Sequence, residues 1–372
     1  MKTAKKYLPA LVLLLFIIVI FTANLIVPDR EFSEKENRNL ASPPVFTFES
    51  LFSGKFTADF ETYITDQFFA RDFWVSLKTG CERLLGKNEI NGVLIGKDRL
   101  LVSEFPAPEV TRLQGNASSV EKFAQNAGIP VYFTLIPGSI EIWNDRLPET
   151  GRTASQADII NNAYAQTPSA IHADSYSALA AHSNEEIYYS TDHHWTTLGA
   201  YYGYTALVSA MGLSPIELPD VWSETEGFFG TASSACGLTP GSGDTVSLRV
   251  PQTAAGEVRV YAEGKWTEGS LYKTENLELK DKYTVFLGGN DPLTVIEGSA
   301  PEGQKLLLLK DSYANSEIPY LCYHFSEIHV VDLRYYKESI SAYIEANGID
   351  VAVVSYSVAN FSEDTNIYFL TK

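Results

Sequence analysis

Four short apolar runs, each closed by turn or helix signals, set the fold class of this chain. They are 131–136 (VYFTLI), 306–309 (LLLL), 328–333 (IHVVDL) and 351–355 (VAVVS). A strand with one face in water alternates apolar and polar residues, whereas an unbroken apolar strand is buried on both faces. Helical spacing over 118–125, 316–324 and 337–346 separates the runs. Buried strands interleaved with helices predict an α/β fold: a mainly parallel sheet with helices on both faces. Residues 93–95 and 100–102 flank Gly96-Lys97-Asp98 as a hairpin. From 215 to 282 the chain turns to Gly, Ser and Thr, with Val-x-Val alternation near Val258, and reads as an inserted β-rich lobe or as long loops.

The N-terminus adds a second constraint. Lys2, Lys5 and Lys6 precede an uncharged apolar stretch over 8–27, followed by no small-residue cleavage site. Its length suits a helix that crosses a bilayer and exceeds a typical signal-peptide core. The lysines should stay in the cytoplasm, which makes the helix a signal anchor with the remainder outside. Residues 1–28 are thus the cytoplasmic lysines and anchor. Residues 29–87 are a juxtamembrane linker ending in Ser42-Pro43-Pro44 and a helical segment with Phe52, Phe56 and Phe60 on one face. Residues 88–372 form the α/β domain, with the insertion at 215–282.

With a net charge of -18 and no cluster of Lys or Arg after the anchor, the chain is a poor partner for nucleic acid. Cys81, Cys236 and Cys322 are far apart and fit no metal spacing; at most one disulfide can form among them.

Two segments carry the residue types that chemistry needs: Ser190-Thr191-Asp192-His193-His194-Trp195 and Leu309-Lys310-Asp311-Ser312-Tyr313. Ser312 directly follows a strand, at the carboxyl edge of the sheet where α/β proteins bind ligands. Either it is a nucleophile, or Ser312 or Asp311 caps the following helix. A serine nucleophile needs a base and an orienting group. His194 is the candidate base, because Asp192 two residues earlier can accept from one imidazole nitrogen and leave the other free. His193 would then point away. Asp-His-His also contains zinc-ligand types, but adjacent histidines seldom converge on one ion and no further His, Cys or Glu spacing completes a set; no metal and no cofactor is expected. A structural role for His194 and Trp195 at a helix entry is the remaining alternative.

The segments TDHHWTTLGAYYGY (191–204), LLLKDSYANSEIPYL (307–321) and FSEIHVVDLRYY (325–336) resemble the DHHW family, as do ENRNLASPP, FETYITDQFFARDFW and NGVLIGKDRLL toward the N-terminus. That family is in turn similar to the SGNH-like alginate O-acetylation proteins, whose Asp-x-His-Trp motif precedes the serine. The resemblance implies an SGNH-hydrolase-like sheet and a catalytic triad of Ser312, His194 and Asp192. It implies serine-dependent acyl-ester chemistry outside the cytoplasm: an O-acetyltransferase, or an acetylesterase, acting on a cell-surface or secreted polysaccharide. A membrane-bound O-acyltransferase as acetyl donor is the implied partner. Gly288-Gly289-Asn290-Asp291 looks like the Gly-x-Asn-Asp block of SGNH enzymes, or is a turn. Asn290, Arg334, Tyr356, Trp195 and His193 are the candidates for substrate or oxyanion contacts. A non-catalytic glycan-binding scaffold, with Ser312 and His194 apart, is the alternative from another class.

Overall fold

The computed structural model describes residues 2–33, 35–36, 38–148 and 154–372, with the backbone alone for 2–6. The side chains of Lys2, Lys5 and Lys6, and Asn37 of the ENRNLASPP motif, lie outside the described residues. The chain forms two compact units, residues 1–87 with 234–238 and residues 88–233 with 239–372.

The first unit begins with α1 (Lys2–Ile26), whose stretch Tyr7–Ile26 is long and apolar enough to cross a membrane, at a mean hydropathy of 2.7. A short antiparallel ladder follows, Phe32–Ser33 with Arg38–Asn39. The aromatic-faced segment divides into Phe48–Phe52, α2 (Lys55–Asp66) and α3 (Arg71–Leu84). The breaks fall where Gly54 and Ala70 adopt left-handed backbone, which stops an α-helix.

The second unit is built on an eight-stranded sheet. Its strands in chain order are β1 (Val131–Ile136), β2 (Ile171–His172), β3 (Ala255–Ala262), β4 (Lys265–Glu268), β5 (Leu293–Gly298), β6 (Gln304–Lys310), β7 (Phe325–Val331) and β8 (Val351–Ser357). In space they run β4-β3-β5-β7-β6-β8-β1-β2. From β7 to β2 all neighbours are parallel; β5, β3 and β4 extend the sheet as antiparallel strands. The α/β expectation therefore holds. At the centre, Leu306, Leu307, Leu308 and Leu309 are all fully enclosed, each contributing about 1.5–3 kcal/mol by burial.

Helices cover both faces in two groups. α4 (Val110–Asn126), α5 (Gln156–Ala165) and the helix Val358–Glu363 pack together; on the other side Ser175–Ala181, α6 (Thr197–Ala210) and Ile318–Leu321 do so. The region 215–282 holds a hairpin, Ser223–Phe228 with Asp244–Leu248, and then supplies β3 and β4 to the main sheet. Its Val258–Tyr261 alternation belongs to β3, one strand in from the edge of that sheet, with Val258 opposite Ile296. Cys81, Cys236 and Cys322 are all free thiols.

Candidate active site

A strap closed by the bridge between Tyr188 and Trp195 carries the first segment. Its arms are tied by Tyr189 N–H to His194 O (3.2 Å) and Thr196 N–H to Ile187 O (3.0 Å). The Asp244 carboxylate clamps the strap by accepting from the Ser190 and Thr191 N–H groups, both at 2.8 Å, and from the Thr191 hydroxyl at 2.6 Å. Burial pushes that carboxyl up. The tip of the strap presents Asp192 and His194, both buried.

Asp192 uses both oxygens. Oδ1 accepts from His194 N (3.0 Å) and lies 2.6 Å from His194 Nδ1. Oδ2 accepts from the Thr231 N–H (2.8 Å) and hydroxyl (3.0 Å). Burial by itself would raise the Asp192 carboxyl; the neighbouring His193 and His194 and the hydrogen bonds from His194 and Thr231 outweigh it and hold the group well below the usual carboxylate range. Gly230 is required beside it, because a Cβ there would sit 2.3 Å from the Asp192 side chain.

Ser312 opens the turn after β6, and Asp311 caps that turn by accepting from the Tyr313 N–H (2.9 Å). The second Asp311 oxygen accepts from Ser357 N, Ser357 Oγ and Asn360 Nδ2, at 2.8, 2.7 and 2.7 Å. The capping role thus falls to Asp311, and the half-buried Ser312 hydroxyl lies 2.8 Å from His194 Nε2. Asp192, His194 and Ser312 form one unbroken hydrogen-bonded line from buried carboxylate to half-open hydroxyl. Such a line can draw a proton from a serine and return it to a leaving oxygen.

The remaining candidates separate. His193 does not point away: its ring centroid is 3.8 Å from that of His194, and its Nδ1 pairs with the Thr231 hydroxyl at 2.7 Å. Desolvation, then His194, lowers it to about 4, so it is neutral at neutral pH. Trp195 is fully enclosed and spends its Nε1–H on Tyr313 O (2.8 Å), and Tyr356 is buried in β8; neither offers a surface to a substrate. Asn290 Oδ1 accepts from Lys310 Nζ (2.6 Å) and from Asn315 Nδ2 (3.3 Å), a knot that ties its loop to the Ser312 turn. Lys310, wholly buried, is lowered to about 8, chiefly by desolvation. Arg334 is clamped by Asp332 through Nε (2.9 Å) and Nη2 (2.5 Å) and lines a cavity of about 200 Å³ with Asp311 and Asn360. A larger cavity of about 580 Å³ runs along the strap, lined by Tyr188, Ser190, Thr191, Arg99, Arg146 and Asp244 among others.

Two residues carry no signal in the sequence. Tyr283 stacks on His194 and offers its hydroxyl to the carbonyls of Ser312 (3.0 Å) and Tyr313 (3.1 Å). Thr231 supports Asp192. Each lies far in sequence from what it supports, so no spacing points to it. As for a metal, ligand atoms of Asp192, His193 and His194 lie within 4.8 Å of one another. Both Asp192 oxygens and both His194 nitrogens are already engaged in hydrogen bonds, a donor set arranged for proton transfer rather than for an ion.

The DHHW protein family matches residues 116–331, well over half of the chain. No curated protein matches it in sequence. Among solved structures, a DHHW family protein from Eubacterium siraeum is similar at 27% identity and a TM-score of 0.67, over 76% of this chain and 96% of that one. PatB1 of Bacillus cereus is similar at 20% identity and 0.62, over 74% and 98%, and it has also been solved with a sulfonyl adduct. The O-acetyltransferase domain of Pseudomonas putida AlgJ is similar at 14% identity and 0.47, over 73% and 93%.

Proposed function

This chain belongs to the DHHW family, and we propose that it is a membrane-anchored, extracytoplasmic serine-dependent O-acetyltransferase acting on a polysaccharide. The observation that carries this reading is the 2.8 Å approach of Ser312 Oγ to His194 Nε2, with His194 Nδ1 held on Asp192. A non-catalytic scaffold would keep Ser312 and His194 apart.

His194 Nε2 takes the Ser312 proton as Oγ attacks the acetyl carbonyl of the donor. The oxyanion collapses, the donor oxygen leaves with the proton from His194, and acetyl remains on Ser312. A sugar hydroxyl then gives its proton to His194 and attacks the acetyl-serine, which returns Ser312 and releases the acetylated sugar. Water in place of the sugar makes the same site an acetylesterase. Asp192 keeps the tautomer and stabilises the imidazolium. Asn290 is proposed as the oxyanion donor, since Lys310 and Asn315 tie its side chain to the Ser312 turn. Arg334, fixed by Asp332 at the rim of the 200 Å³ cavity, is proposed to contact the acceptor. The anchor would keep Ser312 near a membrane-bound O-acyltransferase that brings acetyl groups across the bilayer.

The test uses the detergent-solubilised full chain with p-nitrophenyl acetate, with and without an oligosaccharide acceptor. Acetyl release lost in Ser312→Ala, with acetylated sugar detected by mass spectrometry, establishes transfer. Release lost in Ser312→Ala with acetate as the only product makes the protein an esterase. Equal background release from both proteins rejects the enzyme.

A further inference from the structure

The first unit pairs ionic ties with an apolar surface. Arg38 holds the buried Asp66 through two nitrogens at 2.8 and 2.5 Å, Asp66 also accepts from the Ala41 N–H, Arg71 pairs with Glu36, and Arg30 meets Asp72 at the surface. Its exterior is apolar. On α3, Phe73, Leu77, Gly80 and Leu84 fall on one face at helical spacing; Phe73 is 58% and Leu84 89% exposed, and nothing lies near Gly80. Lys78 and Glu82 pair on another face of the same helix. Ahead of α2, Phe48 and Phe52 are 73% and 86% exposed, and α2 adds Phe60 and Ile64. A soluble protein turns such faces inward; a contiguous exposed one marks a docking surface.

What covers it is indicated by α1. The unit packs directly on this membrane-length helix: Trp74, on the neighbouring face of α3, meets Phe16 edge to face at 6.1 Å, and the Phe69 N–H donates to Asn24 Oδ1 at 2.8 Å. α3 therefore flanks the C-terminal half of α1. Amphipathic helices with Phe, Trp and Leu on one face and charges on the other bed into the headgroup and upper acyl region, where aromatic rings are favoured.

We infer that residues 45–85 form a platform lying in the bilayer interface, with Phe52, Phe60, Phe73, Leu77 and Leu84 inserted among lipids around the exit of α1. The occupant of this face is lipid, not a protein. The inference stands apart from the chemistry of Ser312: the platform adds an area contact with the membrane to the single anchoring helix.

The test uses the full chain reconstituted in phosphatidylcholine vesicles, with an environment-sensitive dye on Leu77→Cys in a Cys81→Ser background and, separately, on Lys78→Cys. Cys236 and Cys322 are buried and stay unlabelled. The expected result is that nitroxide-labelled lipid quenches the dye at position 77 severalfold more than at 78, while aqueous iodide shows the reverse order. Equal iodide quenching at both positions would overturn the inference. Protection of position 77 from both quenchers would also overturn it, by showing that protein, such as a second copy, covers the face. Circular dichroism of both variants confirms that they fold.

Discussion

The imidazole of His194 lies flat on the ring of Tyr283, with centroids 3.8 Å apart and planes 9° apart. Its in-plane bonds to Asp192 and Ser312 fix its rotation, and the stack fixes its tilt, so the ring is held on three sides. Because the Tyr283 hydroxyl also reaches the Ser312 and Tyr313 carbonyls, one side chain touches both the proposed base and the backbone of the proposed nucleophile.

The two halves of that contact separate by mutation. Tyr283→Phe keeps the stack and loses a hydrogen bond, a cost of about 1 kcal/mol in stability with little change in kcat. Tyr283→Leu removes the stack, worth about 0.5–1.5 kcal/mol, and should lower kcat up to roughly tenfold. Thermal melts and ester turnover of the two variants check this; equal turnover in both would assign Tyr283 to packing alone.

Asp192→Asn preserves shape but disturbs the tautomer, since an amide can present N–H₂ where the carboxylate accepted from Nδ1. Turnover should fall by roughly 10³–10⁴-fold, with the fold intact by circular dichroism. A loss below tenfold would remove Asp192 from the proposed mechanism.

Glu317 gives a pH signature. Burial, then the nearby Asp311, raises its carboxyl from the ordinary 4.5 to about 8. The folded chain keeps this proton where the unfolded chain has lost it, so folding binds a proton between those values. Stability is favoured below the unfolded pKa and falls as pH rises through the window, by about 1.4 kcal/mol per pH unit for a full proton. Glu317→Gln should flatten that fall, read as the difference in urea midpoints at pH 5 and pH 8. An unchanged slope would show that Glu317 is ionised in the folded state.

Much of this was legible in the sequence, and the reasons differ by residue. Leu306–Leu309 announced a doubly buried strand because nothing polar interrupts it, and the Asp-x-His spacing brought Asp192 and His194 together within one strap. Trp195 was misread as a substrate contact because its use is local packing against Gly203 of α6, invisible without the turn that precedes it. Tyr356 was misread because a position after a strand core looks like a rim, whereas burial continues through all seven residues of β8. The pairing of β3 and β4 with the main sheet was obscured because their mostly exposed, polar residues carry little apolar signal.

The packing of Trp195 is itself testable. A Cβ on Gly203 would lie 2.5 Å from the Trp195 ring, and Trp195 has no room to retreat. Gly203→Ala should cost about 1–3 kcal/mol and lower Tm by roughly 2–4 °C for each kcal/mol. An unchanged Tm would mean that the helix shifts freely against the strap.

We propose that Ser312 is a nucleophile and that His194 activates it. The most direct measurement is intact-protein and peptide mass spectrometry after exposure to a sulfonyl fluoride, comparing the wild-type chain with Ser312→Ala and His194→Ala. One sulfonyl group on the peptide that contains Ser312, absent from Ser312→Ala and strongly slowed in His194→Ala, is the predicted result. Labelling at another residue, or equal labelling of all three proteins, would contradict the account.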